Sequence, residues 1–160
     1  LRGRRDIAFA LIGDGIAYQG LVEEAEKRGL DNVRFLGRRP RGELPNLLGQ
    51  ADALVLHLKS DPMSVLSIPS KTIDYLACGK PLLAAIDGET AQLIKDNGCG
   101  LATPAEDAAA LADAIVALAD DPNQAAAMGR AALKTHHTLF NRERQIDRFD
   151  EVLREVANQP

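Results

Sequence analysis

With 160 residues, 46% of them hydrophobic and 26% charged, the chain has an ordinary globular composition and is long enough for one domain with its own core. A formal net charge of -4 gives no overall basic field, which argues against nucleic acid as a partner. The two cysteines, Cys78 and Cys99, have neither CxxC nor metal-ligand spacing, and read as buried apolar residues of a reducing, cytoplasmic protein. No run of about 18 apolar residues and no charged-then-apolar leader occurs, so no transmembrane segment is expected.

The pattern then alternates along the chain. Ile7 to Gly13 (IAFALIG) is an apolar run closed by glycine and reads as a strand, and Tyr18 to Gly29 has helical spacing. Val33 to Gly37 is a second short strand, Arg41 to Ala51 a helix or helical turn, and Ala53 to Leu58 a third strand. A short helix from Ser70 to Cys78 follows, ended by Gly79 with Pro81 two residues on. Leu82 to Ile86 is a strand, Gly88 to Gly98 a helix, and Cys99 to Thr103 a last strand. Unbroken apolar strands alternating with helices predict an α/β fold with a doubly wound parallel sheet. Beyond it the chain reads as helical throughout. Thr103-Pro104-Ala105-Glu106 has the form of a capping box, with Leu111, Ile115 and Leu118 as the apolar stripe behind it. Asp120 to Asn123 breaks that helix, a second runs from Gln124 to His137, and Asn141 caps a third carrying Ile146, Phe149, Val152, Leu153 and Val156.

Ligands of doubly wound sheets sit beyond the carboxyl ends of the strands, where loops enter helix amino termini. Gly13 and Gly15 follow the first strand, Gly37, Arg38 and Arg39 the second, and the stretch from His57 to Lys71 the third. At ~100° per residue, Ser70, Lys71, Asp74 and Cys78 share one side of their helix, while Ile73, Leu76 and Ala77 share the other. Free N–H groups at a helix start attract phosphate, Lys71 adds a full charge, and Asp74 is spaced to accept hydrogen bonds from vicinal hydroxyls. Each feature also has a plain structural reading. Alone, the Gly-Asp-Gly reads as a tight turn, since GxGxxG is not completed; Arg38 and Arg39 are more often solvated surface charge; Ser70 and Asp74 equally cap and decorate an exposed helix start. His57, His136 and His137 have no partner at metal spacing, so no metal site is expected.

The succession FALIGDG, NVRFLGRRPRGELPNLLGQADALVL and IPSKTIDYLACGKPLLAAIDGETAQLIKDNGCGLATPAEDAAALADAIVALADDP resembles the carboxy-terminal, donor-binding half of a retaining glycosyltransferase of the two-Rossmann-domain (GT-B) architecture. The family is the group 1, family 4-like one that includes bacterial polysaccharide-assembly sugar transferases. The resemblance implies a Rossmann-like sheet with carboxy-terminal helices, residues 1–160 forming a single donor-binding domain, and an acceptor bound by an amino-terminal domain that this chain lacks. It implies a nucleoside diphosphate sugar as donor and no cofactor. It implies that Ser67, Ile68, Ser70 and Lys71 hold the diphosphate, that Asp74 holds the ribose, and that Gly37 and Arg38 lie beside the base. Transfer would serve cell-surface polysaccharide or glycolipid synthesis, with the full-length enzyme peripheral to the membrane. A nucleotide-sugar epimerase half and a non-catalytic nucleotide-binding module are the alternatives. Many members carry a second glutamate eight positions before the first, and here that position is Leu66.

In the common doubly wound order 3-2-1-4-5-6 the first strand lies at the centre, between the second and the fourth. The resemblance leaves this chain without the central first strand, so that Ile7 to Ile12 and Leu54 to Leu58 would border an empty slot. Another segment, rather than direct pairing of those two strands, is expected to fill or cover it. Alone, the chain is expected to show no sugar transfer, because one half offers no second wall to hold an acceptor.

Overall fold

The computed structural model describes residues 1–157. The chain divides into two compact units, residues 1–47 and 48–160.

In the first unit, β1 (Phe9–Ile12) and β2 (Val33–Gly37) form a parallel two-stranded sheet, joined through α1 (Tyr18–Lys27). Phe9 faces Val33 and Leu11 faces Phe35, after which the register shifts so that Ile12 faces Gly37. The strand starts two residues later than the apolar run suggests. The reason is local: the Ile7 carbonyl is taken by the Asn32 side-chain amide at 3.0 Å, and the Phe9 N–H donates to the Asn32 carbonyl at 2.8 Å. Ile7 and Ala25 are the buried apolar residues of this unit, and Tyr18 meets Phe35 edge-to-face at 5.8 Å. The segment expected as one helix opens as a 3-10 turn (Arg41–Glu43) before α2 (Leu44–Gly49).

In the second unit, β3 (Leu54–His57), β4 (Leu82–Ala85) and β5 (Gly100–Thr103) form a parallel sheet in that order. Leu54, Leu82 and Gly100 lie abreast, as do His57, Ala85 and Thr103. Every residue of β4 is buried. The core gathers Leu56, Leu76, Leu82, Ile86, Ile94 and Cys99, none more than 3% exposed. Between β3 and β4 the chain forms α3 (Pro62–Val65) and α4 (Ser70–Ala77); α5 (Glu89–Asn97) joins β4 to β5; and α6 (Ala108–Asp120), α7 (Pro122–Leu139) and α8 (Arg142–Ala157) follow. The described strands thus form two separate sheets, and β1 is not paired with β3.

Several boundaries moved for physical reasons. Thr103 caps no helix: its backbone belongs to β5, where its carbonyl accepts from Ile86, and its hydroxyl donates to the Ala84 carbonyl at 3.3 Å. The helix starts five residues later, capped by Asp107, which accepts from the Ala110 N–H at 2.9 Å. Asn141 does cap α8, accepting from the Arg144 N–H at 3.1 Å. Its apolar stripe is exposed, Phe149 at 65%, and no described residue of α8 is buried. Cys99 is buried, but Cys78, at the carboxyl end of α4, is only half-buried. No described helix is long and apolar enough to cross a membrane.

Candidate functional site

The residues singled out by the sequence fall at strand ends in both units, and each set has its own geometry. In the first unit Gly13 leaves β1 with a φ of 143°, and Gly37 leaves β2 with a φ of 64°. Glycine fits both conformations because it has no Cβ to clash. The two turns are tied together, the Gly13 N–H donating to the Gly37 carbonyl at 2.9 Å. Gly15 is exposed and accepts from the Tyr18 N–H at 2.8 Å as α1 begins, and Arg38 is exposed.

In the second unit the stretch between β3 and β4 does more than the sequence suggested. Asp61 starts α3 as the cap of a full capping box: its carboxylate accepts from the N–H groups of Met63 at 2.9 Å and Ser64 at 3.0 Å, and the Ser64 hydroxyl accepts from the Asp61 N–H at 3.1 Å. Those backbone bonds, Ser64 first and Met63 second, hold the Asp61 carboxyl below the usual carboxylate range. Ser64 also donates to the Lys59 carbonyl at 2.9 Å, so the chain after β3 is a folded loop. The Asp-Pro pair with a serine at the third helical position is the signal for α3 in the sequence.

From Ser67 the chain extends through Ile68 and Pro69, both exposed or partly so, into α4. Pro69 precedes the helix with extended dihedrals and no side chain caps it. The Thr72 N–H turns back to the Pro69 carbonyl at 2.9 Å. Among the described residues the N–H groups of Ser70 and Lys71 find no backbone acceptor, and the side chains of Ser70, Lys71 and Asp74 have no partner. All three side chains are exposed, so the predicted polar face exists. The buried face is different from the one expected. It consists of Thr72 and Leu76, both at 0% exposure, while Ile73 is half-buried and Ala77 exposed. The Thr72 hydroxyl is buried there without a partner. Gly79 ends the helix in the left-handed region, with a φ of 65°. Along the last turns, burial first and Asp74 second push the Tyr75 hydroxyl and the Cys78 thiol above their ordinary values. Such a thiol is a poor nucleophile at neutral pH.

Beyond the carboxyl ends of β4 and β5 lies an open groove of about 420 Å³, bordered by Val65, Leu66, Ile86, Gly88, Glu89 and Lys95. Leu66, on its border, is 75% exposed. Ser70, Lys71 and Asp74 do not line it. Among the described residues no three His, Cys, Asp or Glu side chains converge as metal ligands. Sequence reasoning missed Thr90: although fully buried in the first turn of α5, it reaches the Ser67 carbonyl at 3.2 Å.

Residues 1–135 match the family described as glycosyl transferases group 1. The chain belongs to that family. It is 30% identical over 140 residues to a Pseudomonas aeruginosa protein named "Probable glycosyltransferase WbjE", covering 83% of this chain and 34% of the relative. It is 31% identical over 125 residues to a glycogen synthase of Mycobacterium tuberculosis (strain ATCC 25618 / H37Rv), covering 78% and 29%. Among solved structures, Anabaena Alr3699/HepE in complex with UDP superposes with a TM-score of 0.79 at 24% identity, over 94% of this chain and 42% of that one. The likeness shows that the fold is the α/β Rossmann-like one of GT-B glycosyltransferases. The group 1 chain described here spans about a third of the length of the curated relatives it matches.

Proposed function

We propose that this group 1 domain binds the nucleoside diphosphate sugar donor of a retaining glycosyltransferase, with the diphosphate at the amino end of α4. One observation carries the reading: Ser70, Lys71 and Asp74 stand exposed and unpartnered on one face of a helix whose first N–H groups are also free. Those N–H groups and the helix dipole favour an anion, and Lys71 adds a mobile cation. Their pull grows as the diphosphate departs and gathers charge, so the same groups that bind the donor also stabilise its leaving group. Asp74, one turn further on, accepts from the ribose hydroxyls, as the family resemblance implies. In this reading the acceptor belongs to another domain of the full enzyme, and the 160-residue chain alone catalyses no transfer. The exposure of Leu66 favours a second reading, a nucleotide-binding module without transfer, because a leucine supplies no acid to contact a sugar.

Isothermal titration with UDP, GDP, ADP and dTDP, each beside its nucleoside, tests the proposal. Lys71→Ala is expected to weaken the bound diphosphate by about 1–3 kcal/mol, the worth of a charged hydrogen bond, and to leave the nucleoside nearly unchanged. Asp74→Asn is expected to weaken both. Equal losses for diphosphate and nucleoside in Lys71→Ala would remove the diphosphate from α4. Sugar transfer by the full-length enzyme decides between transferase and binding module.

A further inference from the structure

We propose that Thr90 is a positioning residue for the diphosphate loop, fixing from α5 the backbone that leads into α4. The inference rests on the donor reading above and goes beyond it by naming what holds that loop in shape.

Thr90 is fully buried, and its Oγ1–H donates to the Ser67 carbonyl at 3.2 Å across 23 residues of sequence. The buried Thr90 hydroxyl needs a partner, and the Ser67 carbonyl is the one it finds, which ties the exposed Ser67 to α5. Two residues earlier, Gly88 adopts a φ of 74°, and a Cβ added to it would collide with the Val65 carbonyl oxygen. The turn between β4 and α5 therefore touches the loop on either side of Leu66, at Val65 by close backbone packing and at Ser67 by a hydrogen bond. Ser67 is thereby held at one end of the run to Ser70, and Pro69, with its ring-fixed φ of -58°, stiffens the other end. No other described side chain bonds to the backbone of 66–69, and Pro69 offers α4 no side-chain cap. Thr90 is thus the one side-chain tie on the segment that aims the N–H groups of Ser70 and Lys71. A loop aimed in advance binds an anion without first losing conformational entropy.

The test compares the wild-type chain with Thr90→Val, which keeps the shape and removes the donor, with Thr90→Ser, which restores it, and with Lys71→Ala. Amide hydrogen exchange at Thr72 is followed in the free protein, and Kd values are measured for UDP, GDP, ADP and dTDP and for their nucleosides. In Thr90→Val, exchange at Thr72, whose buried N–H donates to the Pro69 carbonyl, is expected to rise about tenfold. The Kd of the diphosphate that binds is expected to rise about three- to tenfold, with the nucleoside unchanged. Thr90→Ser is expected to restore both. Unchanged exchange or an unchanged diphosphate Kd in a Thr90→Val variant that melts like wild type overturns the proposal. So does a failure of Thr90→Ser to rescue. If Thr90→Val does not fold, Thr90→Cys, a far weaker donor of similar size, takes its place with the same outcomes. If no diphosphate binds the wild type, or Lys71→Ala binds as well as wild type, the donor reading falls and this proposal with it. Diphosphate binding that depends on Lys71 but not on Thr90 sinks only the role of Thr90.

Discussion

β1 and β4 are written in similar letters, Phe-Ala-Leu-Ile and Leu-Leu-Ala-Ala, and they end up in different surroundings. Each residue of β4 is buried, with β3 and β5 on its two edges and α6 and α7 packed against it. β1 has one partner strand, and its Ala10 and Leu11 remain exposed. An unbroken apolar run therefore states what a strand can tolerate, and the helices laid on both faces decide whether it is covered. The difference predicts where the chain stores its stability.

The largest expected effect follows directly. Leu82→Ala empties a fully buried position of β4 and should cost about 2–5 kcal/mol in urea unfolding, since the packed surroundings collapse only partly. Leu11→Ala, at a residue 36% exposed, should cost about 1 kcal/mol or less. Equal costs would break the comparison, because they would mean that β1 is as well covered as β4.

The helical cover of the second unit can be tested next. Gly129 of α7 lies so close to the end of α4 that an added Cβ would stand 2.5 Å from the Gly79 carbonyl oxygen. Gly129→Ala forces the two segments apart and should cost about 1–3 kcal/mol, although alanine is the better helix former. A stabilised variant would show that α7 is free to shift. A smaller effect belongs to the cap of α6, where Asp107→Ala should lose about 1 kcal/mol in the same measurement. By contrast α1, in the first unit, has no side-chain cap to lose, so Ala17→Gly should change stability by only a few tenths of a kcal/mol.

The parts of the fold that were legible in the sequence are those governed by neighbours along the chain. The alternation of strand and helix, the left-handed Gly79 after α4 and the Asn141 cap are all local; the expected strands and helices come in the expected order, and Gly79 and Asn141 stand where the sequence placed them. The polar face of α4 was legible for the same reason, because helical spacing alone brings Ser70, Lys71 and Asp74 together. What was missed depends on distant partners. Thr103 and Glu106 have the letters of a capping box, but β4 claims Thr103 for the sheet. Thr72 looks polar and is wholly buried, on a helix that packs against both α7 and β3. Nothing in a Gly-Glu-Thr sequence announces that the threonine will reach back to Ser67.

The smallest expected effect separates two carboxylates, one in each unit, that are acidic for different reasons. Asp6 is held down to about 2 chiefly by hydrogen bonds from the Arg4 guanidinium, with an ion pair at 2.7 Å. Asp61 is held below its ordinary value by the N–H groups of Ser64 and Met63. Both groups are exposed. A carboxylate with a lowered folded-state pKa contributes stability above its unfolded pKa and loses it as the pH falls through the folded value. Acidification below the ordinary carboxylate range should therefore loosen the Arg4 contact in one unit and the start of α3 in the other. Salt tells them apart. Ions screen an exposed ion pair but scarcely weaken short bonds from fixed backbone N–H groups. In a carboxyl-carbon NMR titration, raising the ionic strength to about 1 M, where screening acts within about 3 Å, should move Asp6 part of the way toward its ordinary value, by its ionic component, and leave Asp61 almost in place. Amide exchange at Met63 and Ser64 should speed up as Asp61 takes its proton. If the two carboxylates respond to salt alike, the cause assigned to Asp61 is wrong, and α3 is held by something other than its cap.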